Sequence, residues 1–248
     1  MQRPPTAEAF STLVRGRRSV RDFLPTSISQ HLLDAVLADA NAAPSWSNTQ
    51  PYRIAIASSA VRDRLQTELS ARFDKGMAAQ RGGWMGKLKL LLTRDGLPDG
   101  DFATNFAYPE DLQPRRRATG HGLYALLGIG RKDHAAREAQ MRKNFEFFGA
   151  PTALFVFVHS GLREFSVLDA GIFVQTLMLS AHAHGLGTCA QGALATWAGP
   201  VRESFDIPKH YKLICGVSIG YPSEHAVNGF NPGRGETTDL LLKPSLST

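Results

Sequence analysis

The chain has 248 residues, 43% hydrophobic and 20% charged, the balance of an ordinary globular protein long enough to bury roughly 70% of its unfolded surface without disulfide or metal staples. No repeat or biased tract is present, which excludes collagen, coiled coil and low-complexity disorder. Lys and Arg number 28 against 22 Asp and Glu, a net charge of +6 that suits nucleic acid, an acidic membrane surface or a phosphorylated ligand.

In chain order, Met1 to Phe10 carries two prolines and no apolar core of a secretory signal. Arg15, Arg17, Arg18 and Arg21 form the first basic cluster. Leu32, Leu33, Val36, Leu37 and Ala40 recur at helical spacing, with Ser29 as N-cap and Pro44 forcing a stop nearby. Ala43 to Pro51 is a polar loop. Tyr52, Ile54 and Ile56 alternate with Arg53 and Ala55, a strand pattern. Val61 to Gln80 is helical in composition. Gly82 to Arg117 is rich in glycine, proline and aromatic residues and reads as irregular, the pattern of a functional lid or of a disordered loop. Arg115, Arg116 and Arg117 within it read as solvated charge.

His134 to Phe148 reads as a helix ending at Gly149, and Ala153 to Val158 as a central strand. Ser166 to His184 is apolar on nearly every face, a helix buried in a core or between subunits and closed by Gly185. Its most apolar part, Ala170 to Ala183, contains Gln175, Ser180 and His182 and is too short and polar to span a bilayer. Thr196 to Phe205 reads as a shorter helix and Leu213 to Ile219 as a buried strand. The tail from Ser223 lacks periodicity and is expected to wrap over a surface. No linker divides the chain, so one α+β domain over residues 1–248 is expected, with an insertion at about 82–120 and a tail at 223–248.

Motifs of several large enzyme classes are absent. No GxGxxG follows a strand, and there is no P-loop, HExxH or GxSxG elbow. Cys189 and Cys215 form no CxxC pair, so neither a disulfide framework nor a zinc site is expected, and a reducing, cytoplasmic setting is. His182 and His184 lie two apart, a poor metal pair on a helix, and read as cations favourable against the helix dipole.

Four features fit one anionic cofactor site. Arg17, Ser19 and Arg21 share a face in extended form and offer forked guanidiniums and a hydroxyl, donors suited to phosphate. Between Pro44 and Pro51 lie hydroxyls and side-chain amides that both donate and accept, suited to a heterocycle edge. Gly185 to Gly192 is a cap and loop of small residues that let a backbone approach a planar ligand. Arg234 between Gly233 and Gly235 offers a second phosphate clamp.

Together these residues resemble the FMN-dependent nitroreductase family. The likeness rests on Arg17-Arg18-Ser19-Val20-Arg21-Asp22-Phe23, Ala43-Pro44-Ser45 through Gln50-Pro51, Asp169-Ala170-Gly171 through Gly185-Leu186-Gly187-Thr188, and Gly216 through Gly220-Tyr221-Pro222. Arg115 to Pro151, including Gly122-Leu123-Tyr124 and Asn144 to Pro151, looks like the branch acting on nitrobenzoates and related nitroaromatics.

The resemblance implies a central mixed, mainly antiparallel sheet flanked by helices, in an intertwined homodimer with two FMN sites at the interface. By position, Arg17, Ser19 and Arg234 would hold the FMN phosphate, and Arg18 joins the cofactor-binding set. Arg21 would sit near N1 and O2 of the ring. Pro44, Ser45 and Asn48 would come from the other subunit, with Trp46 narrowing the pocket. Gln191 and Gly192 would lie near N5, Gln191 replacing an acidic residue of some relatives. Phe102, Phe106 and Tyr108 would cover the substrate. The implied activity is ping-pong: NADPH or NADH reduces the flavin through N5, then a small nitroaromatic acceptor takes two electrons. The same scaffold supports reductive dehalogenation, enone reduction, flavin breakdown or a flavin sensor without turnover. Neither nucleic acid nor membrane is an expected partner, since no reader motif accompanies the charge.

Overall fold

The computed structural model describes residues 6–94, 96–104, 106–242 and 245. Met1 to Pro5, two positions in the expected insertion (Asp95 and Asn105) and most of the last six residues of the tail lie outside them. In chain order the elements are α1 (Ala7–Gly16), α2 (Gln30–Asn41), β1 (Tyr52–Ser58), α3 (Ser59–Arg81), α4 (Gly83–Thr93), α5 (Gln113–Leu126), α6 (His134–Arg142), β2 (Thr152–His159), α7 (Arg163–Ala183), β3 (Gly187–Gln191), α8 (Gly199–Ser204) and β4 (Tyr211–Gly220).

The four strands form one sheet in the order β1-β2-β4-β3, each pair antiparallel. The mixed character comes from an isolated parallel bridge between Ser19 and Thr188, which adds the segment after α1 to the β3 edge. β2 is buried on both faces, which explains its unbroken apolar run. Phe155 and Phe157 enter one core with Phe73, Phe147, Trp197 and Leu213. Leu154, Val156 and Val158 enter the other with Val36, Phe173, Leu177, Val217 and Ile219.

α2 starts where Ser29 caps it, its hydroxyl accepting from the Leu32 N–H at 3.3 Å, and buries Leu33, Val36 and Ala40. α7 is long and apolar enough, at a mean hydropathy of 1.2, to cross a membrane by length and composition alone. Here it lies against α2 and the sheet and buries Phe173, Val174, Leu177 and the polar Ser166 and Asp169. Gly185 then takes φ +77, a left-handed conformation that favours glycine at a helix end.

Several expectations need correction. Gly82 to Arg117 is not irregular throughout: it holds α4 and the start of α5. Neither helix buries a residue, so tertiary packing leaves no inward apolar stripe by which to recognise them. The helix from His134 stops at Arg142, and Phe147 and Phe148 adopt positive φ in a tight turn that places both rings in the core. The helix expected over Thr196 to Phe205 is only Gly199–Ser204, because Thr196 closes a preceding 3-10 turn. Gly187 to Gln191 is an edge strand rather than a loop, formed by pairing with β4.

Candidate functional site

The segment after α1 runs extended along the β3 edge, with the Val20 N–H donating to the Thr188 carbonyl at 2.9 Å. Extension sends alternate side chains the same way, and Arg17, Arg18, Ser19 and Arg21 line a cavity of ≈ 600 Å³. Its other wall is the tail, Phe230 to Arg234, together with Val14, Arg15 and Gln175. The tail is pinned beneath by Asn228, whose Oδ1 accepts from the Arg21 N–H at 2.8 Å and whose Nδ2 donates to the Asp22 carbonyl at 2.7 Å. Two chain ends remote in sequence thus meet at one basic hollow.

The hollow is electrostatically incomplete. Among the described residues no carboxylate lies within 4.0 Å of Arg15, Arg17, Arg18, Arg21 or Arg234. Arg17 Nε is buried and has no hydrogen-bond partner. Burial, then the charges of Arg234 and Arg18, lower the Arg17 pKa. Several guanidiniums around a cavity, one with an orphaned donor, fit a multivalent anion such as a phosphate monoester.

A smaller cavity of ≈ 260 Å³ lies beside it, lined by Gly16, Arg17, Arg18, His182 and Gly185 to Thr188. His182 is not the favourable helix-end cation expected. Burial, then Arg17 and Arg18, push its pKa down, so burial first and neighbouring charge second outweigh the helix dipole. His184 lies 3.9 Å from Asp39.

Small residues on β3 and just after it serve two purposes. A Cβ on Gly187 would come within 2.5 Å of Val20 Cγ2, so its size answers to the chain's own segment rather than to a ligand. Around Gly192 nothing lies within 4 Å of such a Cβ, leaving its backbone approachable. Gln191, by contrast, is buried. Its Nε2 donates to the Asn144 carbonyl at 2.9 Å, and its Oε1 accepts from the Ser218 hydroxyl at 2.5 Å. The side chain is committed inward; Asn144 and Ser218 carried no sequence signal for this network. Cys189 and Cys215 are free, and burial pushes both thiols up to about 11.

Pro44, Ser45, Trp46 and Asn48 are absent from the lining of both cavities. They occupy a tight turn beside the start of α7. Ser47, Asn48 and Gln50 have φ of 48, 55 and 46, left-handed values costly for residues with a Cβ. The Gln50 N–H donates to Ser45 Oγ at 3.0 Å, and the Trp46 N–H to both carboxylate oxygens of Asp169 at 3.2 and 3.1 Å. The Trp46 ring, half exposed, lies 4.4 Å from that of Phe165. Burial, then Asp169, raise the Tyr52 pKa.

Phe102, Phe106 and Tyr108 are exposed, with Phe106 and Tyr108 rings 5.4 Å apart and Arg116 over Tyr108 at 4.7 Å. The start of their segment is anchored: the Asp99 and Gly100 N–H groups donate to the Thr196 carbonyl, and Asp101 pairs with Arg202 at 2.6 Å. Neither cavity lining includes these aromatics.

The sequence matches the family model described as "Nitroreductase family" over residues 14–221. It is 34% identical over 218 residues to a 4-nitrobenzoate reductase of Nocardioides sp. (strain LMS-CY), covering 88% of this chain and 82% of that one. It is 34% identical over 237 residues to the nitroreductase NfnB of Mycolicibacterium smegmatis, covering 94% and 92%. The fold is similar to the crystal structure of the FMN-dependent nitroreductase NfnB from Mycobacterium smegmatis in complex with NADPH, with TM-score 0.81, 31% identity and coverage of 96% and 99%. It is equally similar, at TM-score 0.81 and 27% identity over 95% and 99%, to the FMN and NADPH-dependent NfnB from sphigopyxis sp. strain HMH. With the sheet, the arginine-lined hollow and these likenesses in agreement, the chain belongs to the nitroreductase family.

Proposed function

We infer that the protein is an FMN-dependent oxidoreductase that carries electrons from NADPH or NADH to nitroaromatic acceptors, acting as a homodimer in the cytoplasm. The observation that carries this reading is the carboxylate-free arginine cavity with the orphaned Arg17 Nε. The similar proteins named as FMN- and NADPH-dependent nitroreductases and 4-nitrobenzoate reductases support its redox half.

Arg17, Ser19 and Arg234 would hold the FMN phosphate, with Arg18 adding charge at the rim. Arg21, backbone-anchored to Asn228, would supply positive charge toward the ring. The open backbone of Gly192 would face the flavin, while Gln191 holds that strand end in register through Asn144 and Ser218. Bound FMN supplies the two-electron redox chemistry between nicotinamide and acceptor. Ser45, Trp46 and Asn48 would complete the pocket of a second copy. Supporting that division, they sit beside Asp169, and His182 at the small cavity is about 20 Å further along α7 at 1.5 Å per residue. Phe102, Phe106 and Tyr108 would cover the acceptor.

The test is the visible spectrum of the purified, dialysed protein, followed by NADPH or NADH without oxygen. The expected result is a flavin spectrum that bleaches and returns when a nitrobenzoate is added. A colourless protein that takes up no added FMN would overturn the reading. A flavin that stays oxidised with both nucleotides would overturn the redox assignment and leave a binding protein.

A further inference from the structure

Asp169 is a buried carboxylate that the proposed chemistry does not use. Among the described residues no cationic nitrogen lies within 4.0 Å of it. Its hydrogen-bonding partner is one backbone group, the Trp46 N–H, which points at both oxygens. Burying a carboxylate is costly unless it is hydrogen-bonded or paired, so the bond from the Trp46 N–H matters to both partners. What it secures is the strained turn.

Three residues of α7 at successive i, i+4 positions grip the two ends of that turn, as one helix face allows. Phe165 packs on the Trp46 ring at 4.4 Å. Asp169 takes the Trp46 N–H. Phe173 packs on the Tyr52 ring at 4.6 Å. Between the grips, Ser47, Asn48 and Gln50 hold left-handed φ that an untethered chain would leave. The tether also leaves Trp46 with half its surface outward.

We propose that Asp169 is a positioning residue: by holding the Trp46 N–H it fixes the 45–50 turn, and so aims Ser45, Trp46 and Asn48 into the cofactor site of a second copy of this chain. The inference rests on the FMN-dependent homodimer reading. It adds that the acidic residue acts in trans, on the other subunit's flavin and acceptor.

Amide exchange of Trp46 in the wild-type apoprotein reads the tether directly. Strong protection is expected, and exchange at the rate of a free peptide would overturn the proposal. Asp169→Ala should weaken FMN binding about tenfold or more, the usual scale for losing a charge-assisted hydrogen bond. It should also raise the acceptor KM more than it lowers kcat. Asp169→Asn keeps an acceptor oxygen and should recover most of both. A residue that serves only stability would lower the melting temperature and leave FMN affinity and acceptor KM of the folded protein unchanged, which would overturn the proposal.

The trans arrangement is tested by mixing subunits. In a dimer of one Arg17→Met chain and one Asp169→Ala chain, one site collects both defects and the other is intact. One FMN per dimer should therefore bind with wild-type affinity. Two weakened sites would mean that Asp169 acts within its own chain and would overturn the trans role. Wild-type protein that binds no FMN would overturn both this inference and the function beneath it; wild-type binding with unaffected variants would overturn this inference alone.

Discussion

Arg17 sits where a protein designed only for stability would not put it. Its guanidinium is partly buried, its Nε is unbonded, and Arg18 and Arg234 crowd it. An unpaired buried donor and like-charge neighbours each destabilise the unliganded fold. Arg17→Met keeps most of the aliphatic volume and relieves both. The melting temperature of the apoprotein should hold or rise by a few degrees, while the FMN Kd rises about 10- to 100-fold, as for a lost charged hydrogen bond. Calorimetry of the apoprotein and a flavin fluorescence titration measure the two effects. A fall in apo stability with unchanged FMN affinity would assign Arg17 a packing role instead. His182 reads the same charges through pH. Its folded pKa lies below the ordinary 6.5, through burial and then Arg17 and Arg18. Below pH 6.5 the unfolded chain therefore takes up a proton that the folded chain resists. Stability contributed by this group is full above 6.5 and falls as pH drops through that window. Urea unfolding from pH 7.5 to 5 should show an acid slope that His182→Gln flattens. Bound phosphate opposes the push of the arginines, so saturating FMN should flatten it too.

At the scale of elements, the β3 edge joins the sheet to the arginine segment, and Gly187 sets how closely. A methyl there would meet Val20 at 2.5 Å, and overpacking of this kind costs roughly 1–3 kcal/mol. Gly187→Ala should lower stability by about that amount, and Val20→Ala in the same chain should restore part of it. A double-mutant cycle by urea unfolding gives the coupling, and strict additivity would show that the two do not meet. This strand also marks where sequence reading falls short. Gly-Thr-Cys-Ala-Gln has little of the alternation that betrays a strand, and it is extended because β4 lies alongside. β1, β2 and β4 announce themselves, since their alternating or continuous apolar runs are written by burial on one or both faces. α4 fails for the opposite reason: Trp84, Met85, Leu88, Leu91 and Leu92 point outward, so its apolar residues draw no stripe toward this chain's core. The arginine-lined cavity was legible because guanidiniums and a hydroxyl at alternate positions are specific chemistry, and the structure gathers them on one lining. Asn144, Ser218 and the tether of Asp169 were not, because hydrogen-bond partners far apart in sequence are joined only by the fold.

At the scale of the molecule, the expected phosphate donors and the expected residues of the polar turn form two groups that one chain does not bring together, and Gln191, Gly192, Phe102, Phe106 and Tyr108 line neither cavity. Arg17, Arg18, Ser19, Arg21 and Arg234 share the basic cavity, while Ser45, Trp46 and Asn48 sit on the turn held by α7. α7 also presents Phe165, Val167 and Leu168 outward, and Gly171 beyond them has open space where a Cβ would be. An apolar helix face beside a stranded half-site is what a symmetric contact would cover, each copy lending its turn to the other's cavity. Leu168 is 57% exposed, so replacing it by Asp disturbs little within the chain but places a charge, twice over, in a two-fold contact. Burying such a charge unpaired costs several kcal/mol. Leu168→Asp should therefore sediment as a monomer at concentrations where the wild type is expected to sediment as a dimer. Its melting temperature as apoprotein should fall with dimer loss and become independent of protein concentration. FMN affinity should fall with it, although residue 168 touches no predicted phosphate donor, because the turn now has no neighbouring cavity to complete. A monomeric variant that still binds FMN with wild-type affinity would show that one chain builds the whole site, and the two-group division would have to be abandoned.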